Sequence, residues 1–503
     1  MRYLIGIDVG TTGTKALLFT EAGRVVKTAY RGYGLQSVRP GYAEQEPSDW
    51  YRAVCCTVKE CVNVLDSPSQ VAALSISAQG GTMVAVDACG VPVQSAISWL
   101  DRRAKKEADE LVRAKPENYF YRNTGWRLND GYNLAQIQWM RVHKPELFEQ
   151  TALFLSPLDY LNLCLTGKAV SDYTNEGITN MENLHSMDWD ACVFDDLGLK
   201  RENLPRLEAA GTVIGRLKED AAFDLGLTGE TLVVNGGYDQ YCAALGLGAI
   251  HEGDLMLSTG TAWVVIAVTD RLRFDTEAFI SPCMHIVPGR FGVMASLETG
   301  GVSMDWFKDK VASDEGHKES YEKLNQMIQE RAIGADGLLF YPHFAGTTCP
   351  YWSKDSRGAF LGLTLFHDRY HMARAVMEGV VFEVCEILDA YRGQGMAINT
   401  IKLVGGASKS RIWTQMIADI SGVPVEVYGN ADAAAIGAGI IAAKGAGCYN
   451  DFEQAAAAFC QEVSRIEPDT KAHCRYQKLR KEYYRGFTWL KAFYDGKSQE
   501  VRK

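Results

Sequence analysis

The stretch "IGIDVGTTGTK" (residues 5–15) constrains this chain more than any other, because its plan recurs half a chain later. An apolar run delivers Asp8 into a Gly/Thr turn, and "ALLF" (16–19) resumes the apolar pattern. That reads as a buried strand, a tight loop and a returning strand, which together make a β-hairpin. Gly10 and Gly13 allow positive φ and let backbone N–H groups approach a ligand closely. Such amides and hydroxyls suit phosphate oxygens. The alternative is a hairpin with no ligand, and Asp8 argues against it, because a carboxylate at the buried end of a strand needs a partner. "DLMLSTGTAWVVIAV" (254–268) repeats strand, Thr-Gly-Thr turn and strand. Duplication of an α/β unit explains the pair, each copy offering a phosphate-facing hairpin to a shared cleft. Chance likeness of two hairpins is the competing explanation.

At 503 residues the chain exceeds what one core usually supports, so two large domains are expected. A formal net charge of -10 opposes nucleic acid or an anionic membrane as the main partner. An anionic ligand must then be held by local amides, a few cations and a metal. The 13 cysteines are scattered without CxxC pairs, and Cys55, Cys56 and Cys61 suit neither zinc nor a disulfide framework. An odd count favours reduced thiols. The N-terminus runs directly into a strand, leaving no room for a signal peptide, and no apolar run approaches the roughly 20 residues of a membrane span. The expectation is a cytoplasmic protein.

Further along, "AALSISAQGG" (72–81) is a strand ending in glycines, and "TLVVNGGYDQYCAALGLGA" (231–249) is a strand, a Gly-Gly turn and a helix starting near Asp239. Val376, Val380, Val384, Ile387 and Tyr391 share one helical face. "IKLVGGASKSRIWTQMIADISGVPVEV" (401–427) reads as strand, Gly-Gly loop, helix, Gly422 stop and strand. "NADAAAIGAGIIAA" (430–443) is a helix whose small residues permit close backbone approach. Residues 444–503 read as helical and peripheral, with stripes at Phe452, Ala456, Phe459, Val463 and at Leu479, Tyr483, Leu490, Phe493. The chain has no GxxxxGK[ST] and no strand-coupled GxGxxG near its start, which leaves a nucleotide held by two hairpins and a Gly-Gly-Ala loop.

Together these residues resemble the FGGY family of carbohydrate kinases, within the actin/Hsp70/hexokinase-like ATPase superfamily. The likeness runs through "YAEQEPSDW" (42–50), "SWLDRR" (98–103) and "GGYDQYCAALG" (236–246). It ends in "GAFLGL" (358–363), His371-Met372 and Ala375-Val376-Met377-Glu378, which fit the family's C-terminal signature. The resemblance implies an α/β fold of two duplicated actin/hexokinase-like, ribonuclease H-like domains with a cleft between them. The expected units are 1–249, 250–445 and a helical extension at 446–503.

It also implies roles. Thr11, Thr12, Gly13 and Lys15 meet the ATP phosphates, and Asp8 holds Mg²⁺ through water. Gly260 and Thr261 form the second phosphate hairpin, Gly301 lies near the nucleotide, and Gly406 and Ser410 belong to the nucleoside site. Asp239 is the catalytic base. Phosphoryl transfer to an alcohol asks for such a carboxylate, and at a helix N-terminus the dipole would keep it ionised. As a bare pattern, without the resemblance, Asp239 reads rather as an N-cap.

The acceptor site implied by the resemblance comprises Gly80, Gly81, Trp99, Asp101, Tyr132, Asp239 and Gln240. Xylulose kinases usually carry Met-His after the glutamine matching Gln79, and glycerol kinases Arg-Glu. Gly80 and Gly81 depart from both, and would remove side-chain contacts and open space. The layout is closest to xylulose and gluconate kinases, and a gluconate, L-xylulose, erythritol or glycerol type of substrate is the alternative. An actin- or Hsp70-like ATPase and a non-catalytic carbohydrate-binding regulator are further classes. The partner is a small sugar or polyol, and a homodimer is compatible with the reading. His367 and His371 stand four apart like metal ligands but read as structural or solvated, and Arg102 is within reach of the sugar.

Overall fold

Each hairpin opens a sheet. In a computed structural model, which describes residues 2–313, 319–429, 432–459 and 463–501, the first sheet contains β1 (Tyr3–Val9), β2 (Gly13–Thr20), β3 (Val25–Gly32), β4 (Val71–Ala78), β5 (Val213–Arg216) and β6 (Leu232–Tyr238). The second contains β7 (Asp254–Thr259), β8 (Trp263–Thr269), β9 (Ser281–Met284), β10 (Phe291–Leu297), β11 (Thr400–Gly405), β12 (Val425–Tyr428) and β13 (Val463–Ile466). Their spatial orders are β3-β2-β1-β4-β6-β5 and β9-β10-β8-β7-β11-β12-β13. Aligned on the hairpins, the first order matches β10-β8-β7-β11-β12-β13. Every successive pair then has the same sense, namely antiparallel, antiparallel, parallel, parallel, antiparallel. Two hairpins could agree by chance; six strand positions with five matching senses reflect a duplicated unit.

The central strands are apolar through their middles, as strands covered on both faces must be. Leu4, Ile5, Ile7 and Val9 of β1, like Leu255, Met256 and Leu257 of β7, are completely buried. The helical face at Val376, Val380, Val384, Ile387 and Tyr391 lies within α3 (Arg369–Gly393) and is at most 1% exposed. Helix α1 (Pro47–Val62) packs on β2 and β3, and two other helices bind the halves together: α2 (Asp239–Gly246), following β6, and α5 (Ala433–Gly445), following β12. Helix α5 packs on α2 and on β1 and β4 of the first sheet. Glycine makes this possible. A Cβ on Gly437 would stand 1.9 Å from the Cys242 carbonyl oxygen, one on Gly246 2.0 Å from that of Ala433, and one on Gly6 2.1 Å from that of Ala435. The small-residue helix expected at 430–443 is α5, although Asn430 and Ala431 lie outside the described residues.

The tail differs from its reading as peripheral. Tyr476, Tyr483 and Phe487 of α6 (Thr470–Val501) enter the core of the second half. There the Tyr483 and Tyr476 hydroxyls donate to buried Glu383 at 2.7 Å and Glu378 at 2.8 Å. Val463 starts an edge strand rather than extending the stripe of Phe452–Phe459. Carboxylates buried inside α3 need donors, and the tail supplies them.

Candidate active site

In the first hairpin the Gly10 N–H donates to the Gly13 carbonyl at 3.0 Å, leaving Thr12 exposed at the tip. Neither Gly10 nor Gly13 takes a positive φ. Glycine at 13 answers a close approach instead, since a Cβ there would fall 2.4 Å from the Tyr30 hydroxyl. Thr11 ties the turn to the acceptor side. Its hydroxyl donates to Gln79 Oε1 at 3.0 Å and accepts from Trp99 Nε1 at 3.1 Å. Gln79 donates to Gln45 at 2.9 Å, and Gln45 returns a bond to the Thr11 carbonyl at 2.8 Å. In the second hairpin Thr261 is the exposed tip, and its carbonyl accepts from the Val302 N–H at 3.2 Å. A Cβ on Gly301 would stand 2.2 Å from the Gly260 carbonyl oxygen, so only glycine lets the helix Gly301–Phe307 start against this tip.

Beside that tip opens a cavity of about 510 Å³, lined by Gly260, Gly301, Gly406 and Ser410 with Asn325, Tyr321, Met377, Trp263 and Trp413. The structure therefore gathers residues expected of the nucleotide site from three separate loops. Ser410 also caps α4 (Arg411–Ser421): its hydroxyl accepts from the Trp413 N–H at 3.3 Å and donates to Asn325 Oδ1 at 2.9 Å. A cavity of this size with an apolar wall and a few polar groups suits a small organic ligand. Asn325 and Tyr321 escaped the sequence reading because their helix, Tyr321–Gln329, carries only an amphipathic pattern.

Asp8 lies within electrostatic reach of both Asp239 and Asp432. Asp8 accepts from the Ser77 hydroxyl at 2.9 Å, and burial raises its pKa to about 6 against the opposing effects of Ser77 and Lys15. The Lys15 ammonium pairs with Asp432, immediately before α5, and so bridges the two halves. Asp239 is the first residue of α2, whose N-cap is Tyr238, and no side chain caps this helix. The N-cap alternative is thus excluded. Asp239 Oδ1 and Gln240 Oε1 are both buried and accept no hydrogen bond. Burial pushes Asp239 up to about 7, and the Asp8 charge adds to the shift. The expectation that the helix dipole keeps Asp239 ionised is corrected here, since desolvation outweighs it.

On the acceptor side, a Cβ on Gly81 would lie 3.1 Å from Trp99 Cβ and 3.8 Å from Tyr132 Cδ1, so these three residues meet. Trp99 remains 40% exposed, a ring available to cover a ligand. The space expected at Gly80 is filled: its Cβ would fall 2.0 Å from Ile178 Cδ1 and 3.0 Å from the Tyr238 ring. Gly81 has φ +70, a conformation that favours glycine for its own reason. Asp101 stands apart. It is fully buried, and its oxygens accept from the Ala43 N–H at 2.6 Å, the Arg103 N–H at 2.8 Å and the Arg103 guanidinium at 2.9 and 2.8 Å. It braces the loop instead of offering an oxygen to a substrate. Arg102 pairs with Asp130 at 3.2 Å. His371 bonds Asp368 at 2.7 Å, and His367 Nδ1 accepts from the Thr364 N–H at 2.9 Å, so both are structural as expected.

Duplicated α/β domains, a Gly/Thr hairpin in each and a carboxyl at a helix start are the frame of the actin/Hsp70/hexokinase-like class, whose members include kinases that phosphorylate an alcohol. Models of the FGGY family of carbohydrate kinases match residues 3–246 (N-terminal domain) and 255–446 (C-terminal domain). The chain belongs to this family. It is 30% identical over 492 residues to a xylulose kinase of Bacillus subtilis, covering 98% of each chain. To a gluconokinase of Bacillus subtilis it is 28% identical, covering 96% of this chain and 93% of the relative. A ligand-bound xylulose kinase from Lactobacillus acidophilus superposes with a TM-score of 0.92 at 27% identity, covering 99% of this chain and 100% of that one. Among the described residues no helix is long and apolar enough to cross a membrane.

Proposed function

We propose that this kinase transfers the γ-phosphoryl group of ATP to a hydroxyl of a small sugar, polyol or sugar acid, with Asp239 as general base. The observation that carries this is the pair of adjacent buried oxygens, Asp239 Oδ1 and Gln240 Oε1, that accept no hydrogen bond. Buried acceptors left unsatisfied are costly. An acceptor hydroxyl can donate to them, and Asp239 Oδ1 then takes its proton as the oxygen attacks phosphorus. Trp99 covers the carbon skeleton, while the amides and hydroxyls at Thr11, Thr12, Gly13 and Thr261 receive phosphate oxygens. The adenosine end lies in the cavity between Gly301, Gly406 and Ser410.

The residues fit Mg²⁺. Asp8 is a half-buried carboxyl within electrostatic reach of Asp239, and their like charges call for a cation. Among the described residues no three His, Cys, Asp or Glu side chains converge as a metal cage, in keeping with an ion held by one or two carboxylates and substrate phosphates. Asp8 would hold it, and Mg²⁺ when bound neutralises charge developing on the phosphoryl oxygens.

Relatives named xylulose kinase and gluconokinase match this chain almost equally, at 30% and 28% identity. Gly80 and Gly81 supply no polar side chain to separate the two. Coupled ADP release across ketopentoses, pentitols, tetritols, glycerol and aldonates tests the proposal. One acceptor should raise turnover far above the acceptor-free rate, and equal rates with every acceptor and with none would reject it.

A further inference from the structure

The strand end that carries Asp239 is held from beneath by hydrogen bonds. Strand β6 reaches it through Gly236 and Gly237, where the register against β4 shifts between Val234 and Gly237. Gly236 is pressed so closely that a Cβ would stand 1.6 Å from the Ile76 carbonyl oxygen. Both sides of this irregularity are fastened by one short turn. On one side, Asn235 Nδ2 donates to the Ser171 carbonyl at 3.1 Å. On the other, the Tyr238 N–H donates to the Thr174 hydroxyl at 3.0 Å. That hydroxyl donates onward to both oxygens of Asp172 at 3.0 Å, and Asp172 is oriented by the N–H groups of Thr174 and Asn175, also at 3.0 Å. Thr174 and Asp172 are each 1% exposed, so solvent does not substitute for either bond.

Tyr238 is the residue before Asp239 and the N-cap of its helix. The Thr174 hydroxyl has one proton to give and gives it to Asp172, which turns its lone pairs toward the Tyr238 N–H. The same turn meets the second half of the molecule, where Cys283 Sγ of β9 lies 3.8 Å from the Thr174 carbonyl.

We propose that Thr174, oriented by Asp172, is a positioning residue that fixes Asp239 against the acceptor hydroxyl. This rests on the reading of Asp239 as the base. Small misplacements of a reacting group cost rate while leaving binding largely intact.

Thr174→Val keeps the shape and removes both hydrogen bonds, whereas Thr174→Ser keeps both. Steady-state kinetics of the full chain are compared with those of Asp239→Asn, with thermal unfolding as the check on folding. Thr174→Val should lower kcat by about 10–100-fold with KM for MgATP changed by no more than about twofold, and Thr174→Ser should restore most of kcat. If Thr174→Val does not fold, Thr174→Ala removes the same hydroxyl with less bulk and reads the same way. The inference is overturned if the hydroxyl-free variant turns over normally while Asp239→Asn does not, or if Thr174→Ser loses as much as Thr174→Val. Near-normal turnover by Asp239→Asn would overturn the base assignment itself, and the positioning role with it.

Discussion

Asp239 owes its properties to its immediate surroundings: a strand end pinned from below, a helix start, and Asp8 facing it. With its carboxyl raised to about 7, Asp239, the proposed base, is ionised above that pH and protonated below it. Only the ionised form accepts a proton, so kcat/KM should rise with pH through about 7, and a pH–rate profile checks it. Asp239→Asn should abolish this acid limb and lower kcat by about 10²–10⁴-fold while nucleotide and acceptor still bind. Gly80 makes a different kind of prediction. Ile178 Cδ1 occupies the place of its missing side chain, and Ile178→Val deletes that atom alone. Gly80→Ala should therefore lower thermal stability and activity, and adding Ile178→Val should recover part of both, a coupling that a double-mutant cycle measures. Gly81 offers no such route, because its φ of +70 strains any side chain placed there.

At the scale of elements, what was legible in the sequence followed from periodicity and glycine. The hairpin at residues 5–19, the repeat at 254–268 and the strand-loop-helix-strand at 401–427 announce themselves through apolar runs cut by turns. Those stretches contain Thr11, Gly260 and Gly406, and the strand-turn-helix at 231–249 contains Asp239, but it was the family resemblance that implied a role for each. Tertiary choices were not legible. Asp101 and Asp239 look alike as acids beside a motif, and only hydrogen-bond partners distinguish the brace from the open carboxyl. Asn325 lies on a helix that could have packed anywhere, and Tyr476 and Tyr483 joined a core because acids on α3 needed donors. The α2–α5 crossing lies between these cases: the small residues were visible, their partners were not. Gly437→Ala would bring a methyl group to 1.9 Å from the Cys242 carbonyl oxygen. The backbones must then separate, at a cost of about 1–3 kcal/mol, and a lowered Tm should report it.

For the whole molecule, the duplication means that each half contributes one hairpin and neither holds the full site. The halves touch through α5 on the first sheet and through Lys15 and Asp432. That ion pair has a consequence for affinity. If Lys15 meets the phosphates, as the family resemblance implies, its ammonium must exchange an internal anion for a phosphate, and nucleotide affinity is then a difference between two attractions. Asp432 acts as a built-in competitor whose effective concentration cannot be diluted away. Removing Lys15 and removing its competitor should thus move KM for MgATP in opposite directions: Lys15→Ala upward, Asp432→Asn downward, with KM for the acceptor changing little in either. The double variant should resemble Lys15→Ala, because a competitor is silent once the charge it competes for is gone.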